Sequence, residues 1–142
     1  MLVDVNVLLH AVNGDDPRHA EARGWLERTL TGRDVLGFAW IGLIGFVRLA
    51  TKPTVFREPL SPDGALRRVR GWLAHPGSVI VQPTERHLDI LDSLLASVGT
   101  AGNLANDAHL AALAIEHDAT IISYDHDFAR FVGVRWERPS EG

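Results

Sequence analysis

The sequence predicts an α/β fold: a three-layer α/β/α arrangement around a central, mostly parallel sheet of four to five strands. Two observations predict it. Short apolar, β-branched runs alternate along the chain with longer stretches of helical periodicity, the signature of parallel strands covered on both faces. The 142 residues also show no repeat, no low-complexity stretch and no break in composition, which gives one domain over 1–142.

The elements follow in order. Residues 2–4 form a short apolar strand, and Val5 to Val12 continue as a helix with Leu8, Leu9 and Val12 at helical spacing. Asn13-Gly14-Asp15-Asp16 is a turn, and Asp16-Pro17 starts a second helix that runs to about Leu30 and stops at Thr31-Gly32. A strand over 34–38 precedes a helix carrying Ile41, Ile44, Val47 and Leu49, which ends before Pro53. Ser61-Pro62-Asp63 opens a helix through Leu66, Val69 and Leu73. Pro76-Gly77 ends it, and Ser78–Val81 is the third strand. The run from Thr84 to His87 caps a helix bearing Leu88, Leu91, Leu95 and Val98, closed by Gly99. After a loop with Gly102-Asn103 comes a helix over Leu104–His117, then an apolar strand over Ala119–Ser123. A helical turn at 125–131 and a last short strand over Gly133–Trp136 complete the chain.

Composition removes several function classes. The absence of cysteine excludes a disulfide framework, thiol catalysis and cysteine-bound zinc. No apolar run reaches the eighteen or so residues of a membrane span, and Met1-Leu2-Val3-Asp4 lacks the basic start of a signal peptide, so a cytoplasmic location is expected. The net charge of −4 argues against a general polyanion binder. Lys52 is the single lysine, however, so the remaining basic residues are arginines, suited to bidentate phosphate contacts or simply to solvated helix faces.

Ligands of open parallel sheets sit at the carboxyl ends of the strands. Asp4 ends the first strand, Asp125 follows the strand Thr120-Ile121-Ile122-Ser123, and Asp107 lies in the first turn of the preceding helix. If the first and fourth strands are neighbours, these three acids face one crevice, and Asp127 reaches the same place. Like charges about 4 Å apart repel by roughly 4 kcal/mol at an effective dielectric near 20, and a divalent cation removes that conflict. Mg²⁺ takes oxygen ligands from one or two carboxylates plus phosphate. A lone aspartate at a helix start is more often a cap. The conjunction is harder to explain that way, because Asp4 stands in an apolar context where a charge needs a partner. Asn6 and Ser123, each two residues from an acid, are placed to orient a carboxylate, and Asn103 and Asn106 flank Asp107; all four also have bland readings as turn or cap residues. The seven histidines show no metal-ligand spacing, and His109 and His117 are assigned to the surface or the edge of the core.

On these residues the chain resembles the PIN domain, and more closely the VapC toxins of VapBC toxin–antitoxin pairs. The resemblance rests on Leu2-Val3-Asp4-Val5-Asn6-Val7-Leu8-Leu9, on Gly45-Phe46-Val47-Arg48-Leu49-Ala50-Thr51, on Gly102 to Ala114 around Asp107, and on Ile122-Ser123-Tyr124-Asp125-His126-Asp127-Phe128, in the expected order. It implies an Mg²⁺- or Mn²⁺-dependent endoribonuclease, with Asp4, Asp107 and Asp125 catalytic and, with Asp127, binding the metal. Asn6, Ser123 and Asn103 would support them, and Arg48 would meet substrate, a partner or a nearby acid. It further implies structured RNA, tRNA or rRNA, as substrate, a VapB-type antitoxin and a homodimer. One position departs from the family pattern: the second motif usually carries a glutamate where this chain has Gly45, and no acid lies between Asp34 and Glu58. Weaker metal binding and one ion rather than two follow as expectations.

Trp25, Trp40 and Trp72 fall on predicted helices, where core packing is the expected role for each. The helices near 17–30 and 61–75 are the candidates for an antitoxin groove, with Arg67, Arg68 and Arg70 as RNA or partner contacts or plain surface. Three rival functions remain. A phosphoacceptor receiver domain needs paired acids after the first strand and a lysine after the last, and neither is present. A small-molecule phosphatase wants a second acid where Asn6 stands. A catalytically weakened RNA- or protein-binding module of the same fold is the alternative that Gly45 supports.

Overall fold

The computed structural model describes residues 1–140. Five strands form one sheet: Leu2–Val3 (β1), Leu36–Phe38 (β2), Ser78–Ile80 (β3), Ile121–Ile122 (β4) and Trp136–Glu137 (β5). Their order is β3-β2-β1-β4-β5, and every pairing is parallel. Parallel neighbours need long crossovers. Helices Val5–Val12 (α1) and His19–Thr31 (α2) join β1 to β2, and Trp40–Ala50 (α3) and Pro62–Leu73 (α4) join β2 to β3. His87–Val98 (α5) and Ala105–Glu116 (α6) carry the chain from β3 back across the sheet to β4.

Strand residues alternate between two cores. Val3 and Ile122 face one that contains Leu8, Trp25, Phe46 and Trp72 from α1 to α4. Within it Phe46 meets Trp72 edge-on at 4.8 Å between ring centroids. Leu2 and Ile121 face the other, with Leu110 and Leu113 of α6 and Phe128 and Phe131 from the 3-10 turn His126–Arg130 and the residue after it. Two covered faces make the three layers that the sequence predicts.

Leu2 pairs with Ile121 and Val3 with Ile122. Thus β1 and β4 are neighbours, although the chain visits β2 and β3 between them. The connections depart in opposite directions from this pair, so a crevice opens between their carboxyl ends.

Several expected boundaries move. Asp16 accepts from the Arg18 amide at 2.7 Å, closing a turn, so α2 starts at His19 rather than at Pro17. Thr84 caps no helix: its hydroxyl donates to Glu116, and α5 begins at His87. The last strand is Trp136–Glu137 rather than Gly133–Trp136. Ser61 does cap α4, accepting from the Gly64 amide at 3.0 Å, with Pro62 in the first turn. Gly99 ends α5 with φ of 73°, the left-handed conformation glycine adopts freely.

Trp25 and Trp72 are buried, but Trp40 is 49% exposed, against expectation. It is the first residue of α3, on the side turned away from the sheet, and Ile44 one turn on is also exposed. Leu66 and Leu88, read as part of apolar helix faces, likewise face solvent. Among the described residues no helix is long and apolar enough to cross a membrane.

Candidate active site

Asp4 follows β1 directly and caps α1. Its backbone is extended (φ −85°, ψ 157°), and its Oδ1 accepts from the Val5 amide at 2.8 Å. The cap and site readings therefore hold together for this residue, because the carboxylate also faces the cleft. Its Oδ2 accepts from the Ser123 hydroxyl at 2.7 Å and from Asn6 Nδ2 at 3.2 Å. Burial pushes its pKa up, Asp125's charge adds to this, and the bonds from Ser123 and Val5 oppose it.

Ser123, fully buried at the end of β4, links the two strands. While donating to Asp4, its oxygen accepts from Asn6 Nδ2 at 3.0 Å and from the Asp125 amide at 3.0 Å. Asn6 completes the bridge by accepting from the Tyr124 amide at 3.1 Å. Asn6 and Ser123 thus hold the β1 and β4 ends in register. Every buried side-chain polar atom among the described residues has a partner, so this network is fully satisfied.

Asp125 caps the 3-10 turn: its Oδ1 accepts from the Asp127 amide at 2.9 Å, which fixes the carboxylate's direction. Asp107 enters from the first turn of α6. One carboxylate oxygen from each of Asp107, Asp125 and Asp127 lies within 4.8 Å of the others. Asp4 stands behind this trio. Asp107 is pushed up to about 7, first by burial, then by the charges of Asp125, Asp4 and Asp127. Four acids therefore converge with too little positive charge to balance them.

The acids line a cleft of about 580 Å³. Its polar wall adds Asn103, Asn106 and Arg48, and its apolar wall adds Val5, Ile41, Leu49 and Leu110. Arg48 reaches the cleft as expected, but among the described residues no carboxylate forms an ion pair with it. Asn103 lies exposed in a 3-10 turn, Gly102–Leu104, and lines the cleft. Gly45 contributes bare helix backbone, with Gly42 beside it on the same face of α3.

The donor set suits a hard divalent cation: oxygen ligands from three converging carboxylates, and an Asp107 pKa pushed up by charges that a cation would offset.

The PIN domain profile matches residues 1–134. The chain belongs to the PIN domain family. Within it, this PIN domain is 55% identical over 138 residues to ribonuclease VapC37 of Mycobacterium tuberculosis, covering 97% of this chain and 96% of that protein. It is 43% identical over 142 residues to ribonuclease VapC43 of the same species, covering 100% and 97%. Among solved structures, VapBC2 from Rickettsia felis bound to a promoter DNA fragment superposes with a TM-score of 0.72 at 15% identity, over 96% of each chain. DNA-bound VapBC from Salmonella typhimurium gives 0.68 at 18% identity, also over 96% of each chain. At that identity the likeness speaks for the PIN fold alone.

One cluster of this PIN domain was not visible in sequence. His87 Nδ1 lies 2.5 Å from Glu116 Oε2, and His87 Nε2 lies 2.9 Å from His109 Nδ1. Glu116 Oε1 also accepts from the Thr84 amide at 2.8 Å and its hydroxyl at 2.6 Å. His109 is indeed at the core edge, but as part of a bonded chain between α5 and α6. Partners 22 and 29 residues apart on two helices leave no spacing signal.

Proposed function

We propose that this PIN domain is the toxin ribonuclease of a toxin–antitoxin pair: a metal-dependent endoribonuclease that hydrolyses phosphodiester bonds in structured RNA, tRNA or rRNA. The observation that carries the reading is the convergence of Asp4, Asp107, Asp125 and Asp127 on one cleft at the switch point between β1 and β4. The ribonuclease names of relatives at 55% and 43% identity support it.

Asp107, Asp125 and Asp127 would hold Mg²⁺ or Mn²⁺, with Asp4 close behind. When bound, such a cation polarises phosphoryl oxygen and lowers the pKa of water, which is the chemistry hydrolysis requires. The chain's own contribution is position. Ser123 and Asn6 aim Asp4, the Asp127 amide aims Asp125, and α6 presents Asp107 from its first turn. Arg48, which pairs with no carboxylate among the described residues, is placed to take a substrate phosphate in the cleft. Asn103 and Asn106 offer amide donors and acceptors beside Asp107.

An antitoxin is the expected partner. The VapBC structures from Rickettsia felis and Salmonella typhimurium share this fold. A groove of about 320 Å³ between α2 and α4, lined by Leu26, Leu30, Trp72, Arg67 and Arg68, is the surface best shaped for it. Self-association is expected through α3, where Trp40 and Ile44 form an exposed apolar step one turn apart.

Gly45 favours a second reading, a weakened PIN-fold binding module, because no acid stands at that place on the cleft wall. One assay separates the two. Wild type and Asp4→Asn are incubated with total tRNA and rRNA in Mn²⁺, and products are mapped by sequencing. Defined cuts by wild type alone support the enzyme; equal products, or none from either, remove it.

A further inference from the structure

We propose that Arg18 and Arg138, stacked on the ring of Tyr124, form a phosphate-binding clamp that holds the RNA strand beside the acidic cleft. The proposal rests on the ribonuclease reading and extends it to a surface outside the cleft.

Two arginines from distant parts of the chain meet at one aromatic ring. Arg18 precedes α2 and Arg138 follows β5. Their guanidinium carbons lie 4.7 and 5.3 Å from the Tyr124 centroid, so they are within about 10 Å of each other. That is close to the Debye length of about 8 Å at physiological salt, so the two positive charges feel one another. Two nearby acids are already engaged, and Asp34 and Glu137, which share a pocket with Arg138, bond to neither arginine. Glu21 accepts from the Tyr124 hydroxyl at 2.8 Å, and Asp16 bonds His10 at 2.8 Å and the Arg18 amide. Among the described residues no carboxylate forms an ion pair with either guanidinium.

The ring itself is held firmly. Tyr124 is 5% exposed, with its hydroxyl on Glu21 and the His10 ring edge-on at 5.2 Å. It therefore serves as a platform for the arginines rather than for a base. A guanidinium stacked on an aromatic face keeps its N–H edge available, and that edge matches phosphate oxygens. Stacking also limits the side-chain freedom lost on binding.

The location gives the clamp its purpose. Tyr124 is the residue between Ser123 and Asp125, and its amide donates to Asn6, which in turn bonds Asp4. The backbone thus points Asp125 into the cleft and the Tyr124 ring toward α1 and α2. A strand cut at the acids has further phosphates on either side, and Tyr124, one residue before Asp125, brings the arginine pair close to that path although neither arginine lines the cleft itself. It is also a positive element beside a negative one, which an RNA needs to approach a site of four acids.

The test measures binding and cutting separately. A fluorescein-labelled, mixed-sequence oligoribonucleotide is titrated in EDTA with wild type, Arg18→Ala/Arg138→Ala and Arg18→Lys/Arg138→Lys, over a range of salt. The alanine pair should bind about tenfold more weakly, and the slope of log affinity on log salt should fall by about 0.7 per arginine. The lysine pair should keep the slope. Arg18→Gln/Arg138→Gln, which retains much of the apolar stem, replaces the alanine pair should that variant melt early. With Mn²⁺ present, the same variants should raise KM and leave kcat within about twofold. Unchanged affinity and slope overturn the clamp while leaving the ribonuclease reading intact. Loss of antitoxin binding with RNA binding unchanged overturns it in favour of a protein interface. A wild type that binds RNA through these arginines but cuts nothing keeps the clamp and removes the enzyme.

Discussion

Ser123 and Asp4 lie 119 residues apart in the chain, and the serine hydroxyl donates to Asp4 Oδ2 at 2.7 Å. This bond, with the Asn6 amide beside it, turns the β1–β4 pairing into a placement of carboxylates. Ser123→Ala should lower metal affinity or kcat by about tenfold, the usual cost of removing an orienting partner. Asp125→Asn, which removes charge from the trio itself, should cost at least about 100-fold. Single-turnover cleavage with a metal titration reads both. Equal effects for the two would mean that Ser123 does more than orient.

Asp107 makes the metal-free protein sensitive to pH. Its pKa rises from about 4 in the unfolded chain to about 7 in the fold. Between those values the folded state binds the extra proton, so stability falls as pH rises from about 4 to about 7 and is level above. Burial pushes Asp4 in the same direction. A bound cation should cancel this slope and release protons on binding. Urea melts at pH 5 and pH 8, with and without Mn²⁺, check the first point, and calorimetry in two buffers checks the second. A metal-free protein more stable at pH 8 than at pH 5 would contradict the account.

Glu116 acts with the opposite sign. Its pKa is lowered, against the effect of burial, by the bonds from His87 and Thr84. The stability it adds is present above the ordinary glutamate range and is lost as pH falls through its folded value. Glu116→Gln places an amide where the carboxylate accepts from donors on both oxygens. A loss of about 1–3 kcal/mol in a urea melt is expected, with cleavage by the folded fraction unchanged.

The fold was legible because strand and helix periods alternate cleanly. The acids were legible because Asp4 and Asp125 each sit where an apolar strand ends and Asp107 sits in the first turn of an apolar helix. Asp4 and Asp125 are also helix or turn caps, so the cap and site readings did not compete as expected. What escaped was pairing across elements. His87, His109 and Glu116 meet only once α5 packs on α6. Arg18 and Arg138 share Tyr124 only once β5 is placed beside β4. Trp40 reads as core by composition, yet its position at the start of α3 turns it outward. Asp16-Pro17 has the chemistry of a helix start, but Asp16 is spent on a turn and on His10.

Gly45 can be tested by restoring the acid. A Cβ there would stand 3.4 Å from Val5 Cγ2, a contact that a small shift accommodates. Gly45→Glu should therefore fold, lose stability without metal through added repulsion, and bind Mn²⁺ about tenfold more tightly. Wild type should titrate with one ion in calorimetry. Two tight sites in wild type would refute the role given to this glycine.

The central claim, that these acids gather around a shared cation, is tested most directly by a crystal grown in Mn²⁺ and measured for anomalous scattering. The account predicts a peak in the cleft, bonded to carboxylate oxygens of Asp107 and Asp125 and absent from Asp125→Asn crystals. A cleft without a peak, its acids protonated and hydrogen-bonded to one another, would contradict it.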